Sequence, residues 1–289
     1  MSAADNKPQT HPSDPETTGH EWDGIKEFNN PLPRWWLWTF YATIIWSIGY
    51  WILMPAWPFL GDDYSKGLLG YSQRQELADD LAAAQAARSE MNAKLVKADL
   101  SKIEDDPQLL EYAMAGGRSA FGVNCAQCHG SVGQGAPGYP NLQDNDWLWG
   151  GTLEDISTTI HVGIRSTHED TRSGEMPAFG LDETLSKEEI AAVADYVLSL
   201  SGKGPGNKKG EEIFAENCAA CHGEDAKGSR DVGAPNLTDN IWLYGGDRDT
   251  VIETITKGRA GVMPTWEGKL DEATIRQLAV YVHTLGGGE

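Results

Sequence analysis

All four cysteines of the chain lie in two strings of the form Cys-x-x-Cys-His, at residues 125–129 and 218–222. Two thiols three residues apart share one face of a helical turn and can bond both vinyl groups of one porphyrin. The adjoining histidine can then bind the iron. The spacing predicts two covalently bound haem c groups. The predicted attachment residues are Cys125, Cys128, Cys218 and Cys221, and the predicted proximal iron ligands are His129 and His222.

A structural zinc site is the alternative use of paired cysteines. It would require the two pairs to come together, with both histidines spare or bonded elsewhere. A histidine follows each pair and no cysteine is left over, so the pattern favours haem.

Two methionines are candidates for the sixth ligand of each iron. Met176 and Met263 each precede a proline, lie at corresponding places after the two haem motifs, and are the only methionines beyond the first motif. A thioether ligand raises the reduction potential relative to a second histidine. The simplest expectation pairs Met176 with His129 and Met263 with His222. A crossed arrangement, in which each repeat lends its methionine to the other haem, stays open.

Other residues near the motifs have less specific expectations. The carbonyl groups of Pro140 and Pro235 are expected to accept the Nδ1 protons of the two ligand histidines and so fix their tautomer. His161 and His168 are either alternative ligands or ordinary surface histidines, with the second use favoured. His283 is expected to be structural.

The part of the chain that carries these residues is an internal repeat. The segment 141–151 recurs as 236–246 with most residues identical, and a Gly/Pro-rich hinge lies between the copies at 201–206. Each copy begins with Gly and Phe before its first cysteine and ends with a short apolar helix carrying a tyrosine. In-repeat packing would place Gly117 and Phe121 against the helix of Tyr196. Likewise, Gly210 and Phe214 would lie against the helix of Tyr281.

The N-terminal part of the sequence differs from the repeats in composition. Residues 1–30 are polar and rich in proline, which predicts a disordered tail. From Trp35 to Gly61 no residue is charged, and tryptophans lie near both ends of this segment. Because about 20 residues of helix suffice to cross the bilayer core, the segment is long enough for a transmembrane helix. A cleaved signal peptide would have a shorter apolar region and a small-residue cleavage site. An amphipathic helix is expected over 73–103.

The formal net charge of −20 excludes nucleic acid as a natural partner and favours basic ones. Most of the excess lies in the C-terminal part, beyond residue 61. A cationic redox partner is therefore expected.

With these motifs in place, the chain resembles the di-haem c subunit (subunit III) of cbb3-type cytochrome c oxidases. The Pro-Leu-Pro-Arg-Trp-Trp entry at 31–36 and the Asn-Leu-x-Asp-x-x-Trp-Leu-x-Gly-Gly repeats carry the resemblance. It implies an electron-transfer subunit without a catalytic site of its own. Its partners would be a soluble or anchored cytochrome c donor, a mono-haem c subunit, the haem–copper subunit that reduces oxygen with proton pumping, and membrane lipid. Matched to the family motif, His129, Met176, His222 and Met263 bind iron.

The expected architecture is mainly α: an N-terminal transmembrane helix, a helical linker and two tandem c-type cytochrome domains. The expected ranges are a cytoplasmic disordered tail at 1–34, the anchor at 35–61, the linker at 62–108, and cytochrome c domains at 109–202 and 203–289. The haem domains would face the periplasm of a bacterial inner membrane, because covalent haem attachment takes place there. Two rival functions are a free-standing anchored electron carrier and a di-haem peroxidase.

Overall fold

The computed structural model describes residues 15–58 and 64–288. The contacts divide the chain into an N-terminal part up to Ala86 and a C-terminal part from Ala87 onward. The N-terminal part opens with an antiparallel hairpin of β1 (Thr17–Trp22) and β2 (Ile25–Phe28). Asp23 and Gly24 join the strands, both with positive φ, as a two-residue hairpin turn requires. The described end of the predicted disordered tail is therefore ordered as a hairpin, and the Asp-Gly turn is its physical reason. Residues 1–14 of that tail lie outside the described residues.

Helix α1 (Arg34–Leu53) follows the hairpin, and none of its side chains is buried within the chain. Among the residues that the structure describes, no helix combines the length and the mean hydropathy needed to cross a membrane. Helix α2 (Gln73–Lys97) covers most of the predicted linker helix and is followed by a short 3₁₀ helix at Leu100–Asp105.

The C-terminal part is helical and shows the repeat. Asp106 caps α3 by accepting hydrogen bonds from the backbone of Gln108 and Leu109. The remaining helices, in chain order, are α3 (Pro107–Asn124), α4 (Ala126–His129), α5 (Leu153–Val162), α6 (Lys187–Leu200), α7 (Lys208–Asn217), α8 (Ala219–His222), α9 (Arg248–Lys257) and α10 (Glu272–His283).

Two hydrophobic cores hold these helices, and neither is made from one repeat alone. The first core joins Phe121 of α3 and Ile156 of α5 to Leu278 of α10, the last helix of the second repeat. The second core joins Phe214 of α7 and Val251 of α9 to Val193 of α6, the last helix of the first repeat. The repeats therefore exchange their closing helices.

The predicted helix pairing is wrong. Gly117 of α3 lies against Gln277 and Tyr281 of α10, and the rings of Phe121 and Tyr281 are 5.4 Å apart. Gly210 of α7 correspondingly lies against Ala192 and Tyr196 of α6, and the rings of Tyr196 and Phe214 are 5.5 Å apart. The glycine-to-tyrosine contact was expected correctly, but each contact is made with the other repeat. Both repeats carry the same pattern, so the pattern does not decide which copy of the tyrosine helix is used.

The linker packs into a third buried cluster, which is built on the same helices as the first core. Leu95 and Ile103 are fully buried there against Leu109 of α3, Leu153 of α5 and Val280 of α10. The contact also includes polar bonds: Arg276 of α10 donates to the carbonyl of Ala98 at 2.7 Å. The segment before α3 is thus fixed to helices α3, α5 and α10.

Candidate haem sites

Each Cys-x-x-Cys-His string sits where a long helix ends and a single helical turn begins. Cys125 caps the C-terminus of α3, and α4 carries Cys128 and His129. The first cysteine of the string is half-buried and the second is exposed, so the pair spans the edge of a pocket. Burial, with a smaller contribution from Cys128, raises the pKa of the Cys125 thiol to about 11. The second string has the same arrangement at the end of α7, and burial likewise raises the pKa of Cys218 to about 11.

The histidines of the two motifs are oriented by proline carbonyls, as the sequence predicts. Nδ1 of His129 lies 3.1 Å from the carbonyl oxygen of Pro140, and Nδ1 of His222 lies 3.1 Å from that of Pro235. Donation from Nδ1 leaves Nε2 unprotonated, the form that binds a metal. Burial also lowers the pKa of both histidines, against the opposing effect of the proline carbonyl, and so favours the neutral imidazole.

A cavity of about 100 Å³ lies beside His129. Its walls are almost wholly apolar. Lining residues that matter here are Phe121, Cys125, His129, Trp147, Leu278 and Met263. Met263 belongs to the second repeat, whereas Met176 is not among the residues that line this cavity. The in-repeat pairing of Met176 with His129 does not match this placement.

Met176 lies in the corresponding place of the other core. It packs against the second core together with Cys218, Phe214 and Trp242. The structure thus places each methionine with the cysteines of the other repeat, which is the crossed arrangement.

The segments that carry Met176 and Met263 cross each other between the two repeats. Met263 and Ile164 bond each other through both backbone groups, at 2.9 and 3.0 Å. Met176 and Arg259 do the same at 3.0 and 3.1 Å. Between them, the guanidinium of Arg165 donates to the carbonyls of Gly261, at 2.6 Å, and Gly174. Arg165 thereby holds both crossing segments.

Two arginines that the sequence analysis missed mark where the crossing begins. Arg172 donates to Thr159 at 2.9 Å and lies over the ring of Trp149, two residues that line the cavity beside His129. Four residues later, Met176 packs against the second core. Arg259 makes the equivalent contacts with Thr254 and Tyr244 of the second repeat, four residues before Met263. An Arg-x-x-x-Met string in both repeats was the available signal.

The other three histidines of the C-terminal part have protein partners. Nε2 of His161 lies 2.8 Å from Glu272, and its Nδ1 lies 2.8 Å from the carbonyl of Ser157. His168 lies 3.0 Å from Glu267 and accepts from the backbone of Asp170. Both histidines therefore tie the first repeat to segments of the second, which favours the non-ligand use expected from the sequence. His283 contacts Glu104 at 2.8 Å, in keeping with its expected structural role.

The indole groups of two equivalent tryptophans indicate whether each site can accept a haem. Nε1 of Trp147 donates to the carbonyl of Gly287. Its repeat equivalent, Trp242, has a fully buried Nε1 without a partner in the described part of the chain. A buried donor with no acceptor is costly, so it indicates an acceptor on a bound group. The ring of Trp242 also lies 5.0 Å from the ammonium of Lys203. A haem with its acidic propionates supplies both an acceptor and a negative charge, so these residues fit one.

Comparison with known families gives three matches along the chain. Residues 14–61 match the N-terminal domain of cytochrome oxidase-cbb3, FixP. Residues 114–201 match the cytochrome c family, and residues 205–282 match cytochrome c oxidase, cbb3-type, subunit III.

Full-length relatives agree with these matches. A cbb3-type cytochrome c oxidase subunit FixP of a Bradyrhizobium species is 59% identical over 277 residues, covering 94% of this chain and 95% of the relative. Subunit CcoP of Cereibacter sphaeroides is 56% identical over 282 residues, covering 96% and 97%. Subunit CcoP of Azospirillum brasilense is 53% identical over 284 residues, covering 95% and 96%.

Proposed function

The chain belongs to the family of FixP/CcoP subunits of cbb3-type cytochrome c oxidases, and we propose that it relays electrons from a cytochrome c donor toward the haem–copper subunit of such an oxidase. It is an electron-transfer subunit with covalently bound haem c. When bound, each haem supplies a one-electron iron couple. The chain itself holds and orients these groups and excludes water from them; the oxygen chemistry belongs to another subunit.

The four cysteines attach the two haems, and His129 and His222 are their proximal ligands. The distal ligands are crossed: Met263 serves the haem of His129, and Met176 serves the haem of His222. The observation that carries this assignment is the cavity that Met263 shares with Cys125 and His129. The position of Met176 against Cys218 in the second core supports its mirror image.

A pair of histidine substitutions tests the crossing. Replacing a methionine ligand by histidine lowers the potential of its own haem. In a background without the second haem, made by Cys218→Ala and Cys221→Ala, Met263→His should lower the potential of the surviving haem. Met176→His in the same background is the matched control and should leave that potential unchanged. The reverse result in a redox titration would restore the in-repeat pairing.

We further propose that the segment 35–61 anchors the chain in a bacterial inner membrane, with the haem-binding part in the periplasm. In support, this segment has no charged residue, and the large apolar side chains of α1 are exposed, including Trp38 at 73% and Ile45 at 72%. A helix of 20 residues is about 30 Å long, the thickness of the hydrocarbon core. Extraction from membranes by detergent but not by carbonate or high salt is the expected result.

Purification of the whole assembly tests the proposed place of the chain. In mild detergent, the chain should bring with it a mono-haem c subunit and a subunit carrying b-type haem and copper. Recovery of the chain alone, with both haems and no further subunit, would identify a free-standing electron carrier instead.

A further inference from the structure

The two haem motifs are closely alike, but the surfaces around them differ in charge. The second cysteine of each motif, Cys128 or Cys221, is exposed and would hold the haem bonded to it near the surface. Electrons pass between proteins where such edges approach each other. The side chains around each exposed cysteine therefore decide which kind of protein it can meet.

The chain segment around Cys128 carries no charge. From residue 119 to residue 143 there is no Asp, Glu, Lys or Arg. Val123, at the end of α3, is 68% exposed, and Val132, just after the motif, is 51% exposed. Exposed apolar side chains without neighbouring charges are typical of the centre of a lasting protein interface.

The corresponding surface around Cys221 is acidic. Counting the same number of residues before and after the motif histidine, Val123 corresponds to Glu216 and Val132 to Asp225, and both replacements are exposed. The charged residues of the matching segment 212–238 are Glu212, Glu216, Glu224, Asp225, Lys227, Arg230 and Asp231. Lys227 lies 3.9 Å from Asp225 and offsets part of its charge. The segment keeps a net negative charge.

The surfaces around the two motifs differ in charge although the two repeats have the same fold. Cys125 and Cys218 cap equivalent helices, and His129 and His222 lie at the same 3.1 Å from the carbonyls of equivalent prolines. The haem-holding residues therefore do not require the difference in surface charge. A mobile partner that must find its site by diffusion gains from opposite charge at the contact, whereas a permanent neighbour gains from an uncharged, apolar contact.

The packing of the linker also distinguishes the two repeats. Leu95 and Ile103 are buried with Val280 of α10, and Glu104 contacts His283 of the same helix. Helix α10, which closes the first core, is therefore fixed to the segment that leads, along the chain, to the proposed anchor.

Resting on the proposed function, we propose that the two haem edges have different partners. The acidic face around Cys221, defined by Glu216 and Asp225, binds a mobile cytochrome with a basic surface. The uncharged face around Cys128, defined by Val123 and Val132, is covered by another subunit of the same oxidase. One electron from the ferrous donor thus enters at the second repeat and leaves from the first.

Binding to the purified oxidase complex tests the acidic face. The probe is a lysine-rich mitochondrial cytochrome c, and the readout is its association rate constant by biolayer interferometry at several ionic strengths. The double variant Glu216→Gln and Asp225→Asn should lower that constant at low salt by about tenfold, and should flatten its salt dependence. Glu111→Gln with Glu154→Gln removes the same charge from exposed positions on α3 and α5 and should leave the constant nearly unchanged. Equal effects of the two pairs would overturn the proposal.

The uncharged face is tested by placing acids on it. Val123→Glu with Val132→Asp should reduce the amount of chain that co-purifies with the other subunits, while its haem content and its association with the basic cytochrome stay the same. Faster association of the cytochrome with this variant, without loss of subunits, would show that the donor uses the first repeat. Wild-type behaviour in both measurements would also overturn the proposal. Failure of the proposed function looks different, since the wild-type chain would then purify without b-type haem and copper.

Discussion

At Gly117 of α3, the carbonyl of Gln277 occupies the space that a Cβ would need, and the Cβ of Tyr281 would be 2.6 Å away. The absence of a side chain lets α3 and α10 approach closely enough for Phe121 and Tyr281 to pack. The same relation holds at Gly210, where the Cβ of Tyr196 would be 2.8 Å away. One residue type at two equivalent positions thus determines how both cores close.

We expect Gly117→Ala to destabilise the protein by about 1–3 kcal/mol, because the added methyl overpacks the α3–α10 contact. Gly122 lies in the same helix with nothing within 4 Å of a built Cβ. Gly122→Ala is the matched control and should stabilise the helix by up to about 1 kcal/mol. Thermal melting of both variants measures the difference, and equal melting temperatures would contradict the close contact.

Asp146 is a second residue whose surroundings have a measurable consequence. It lines the cavity beside His129, and its repeat equivalent is Ile241. Burial raises the pKa of its carboxyl to about 6, with further contributions from Asp239 and Asp144 and an opposing one from Arg230. The folded state therefore holds this proton more tightly than the unfolded state, whose pKa is about 4.

The sign of the pH effect follows from that difference. Below about pH 4 the carboxyl is protonated in both states and costs nothing; as pH rises toward about 6, the unfolded state ionises first and stability is lost. Asp146→Asn should raise the melting temperature at pH 7 and change it little at pH 4. The exposed Asp182→Asn controls for the loss of one charge. A gain that is the same at both pH values would contradict the shifted pKa.

At the scale of elements, the exchange of α6 and α10 is the main feature that the sequence does not determine. The cysteine–histidine turns, the proline carbonyls, the glycine and phenylalanine of the opening helices and the tyrosines of the closing helices could all be predicted, because each depends on residues within a few turns of one another. The choice between α6 and α10 could not. Each opening helix has two partners in the chain with the same pattern, and only the path of the crossing segments selects one.

The exchange of closing helices predicts which helix becomes less protected from hydrogen exchange when a core residue of α6 or α10 is truncated. Leu278 of α10 and Val193 of α6 are repeat equivalents, and both are fully buried. Leu278→Ala should cost about 2–5 kcal/mol and raise hydrogen exchange in α3, which belongs to the other repeat. Val193→Ala should raise exchange in α7 instead. Faster exchange in α7 for the Leu278 variant would indicate in-repeat packing.

The hairpin of β1 and β2 and the arginines of the crossing were also missed at this scale, for different reasons. The hairpin depends on a short turn signal, Asp23-Gly24, inside a strongly polar segment whose composition indicates disorder. Arg165, by contrast, has no repeat signal of its own. Its role exists only once the segments that carry Gly174 and Gly261 lie side by side.

At the scale of the whole molecule, the exchange makes the two repeats one interlocked body. Each core takes one closing helix and one methionine from the other repeat, and Arg165 holds both crossing segments. Arg248 of α9 also pairs with Asp195 of α6 at 2.6 Å, so ion pairs join the repeats as well as apolar contacts. Neither repeat contains all the residues of its own core.

Separating the repeats should therefore destroy the haem environment of each. The segment 87–202, expressed alone in the periplasm, keeps the linker, Cys125, Cys128 and His129 and should attach one haem. It lacks α10 and Met263, so its ferric form should lack the charge-transfer absorption of a methionine-bound haem, and its melting should be broad.

The segment 87–289 is the matched control, since it contains both repeats and the packed linker without the N-terminal part. It should attach two haems, show the methionine band and melt cooperatively. Together the two segments distinguish interlocked repeats from independent ones. An isolated first repeat with a methionine-bound haem and a sharp melting transition would mean that Met176 can serve His129 and that the exchange of helices is not needed for folding.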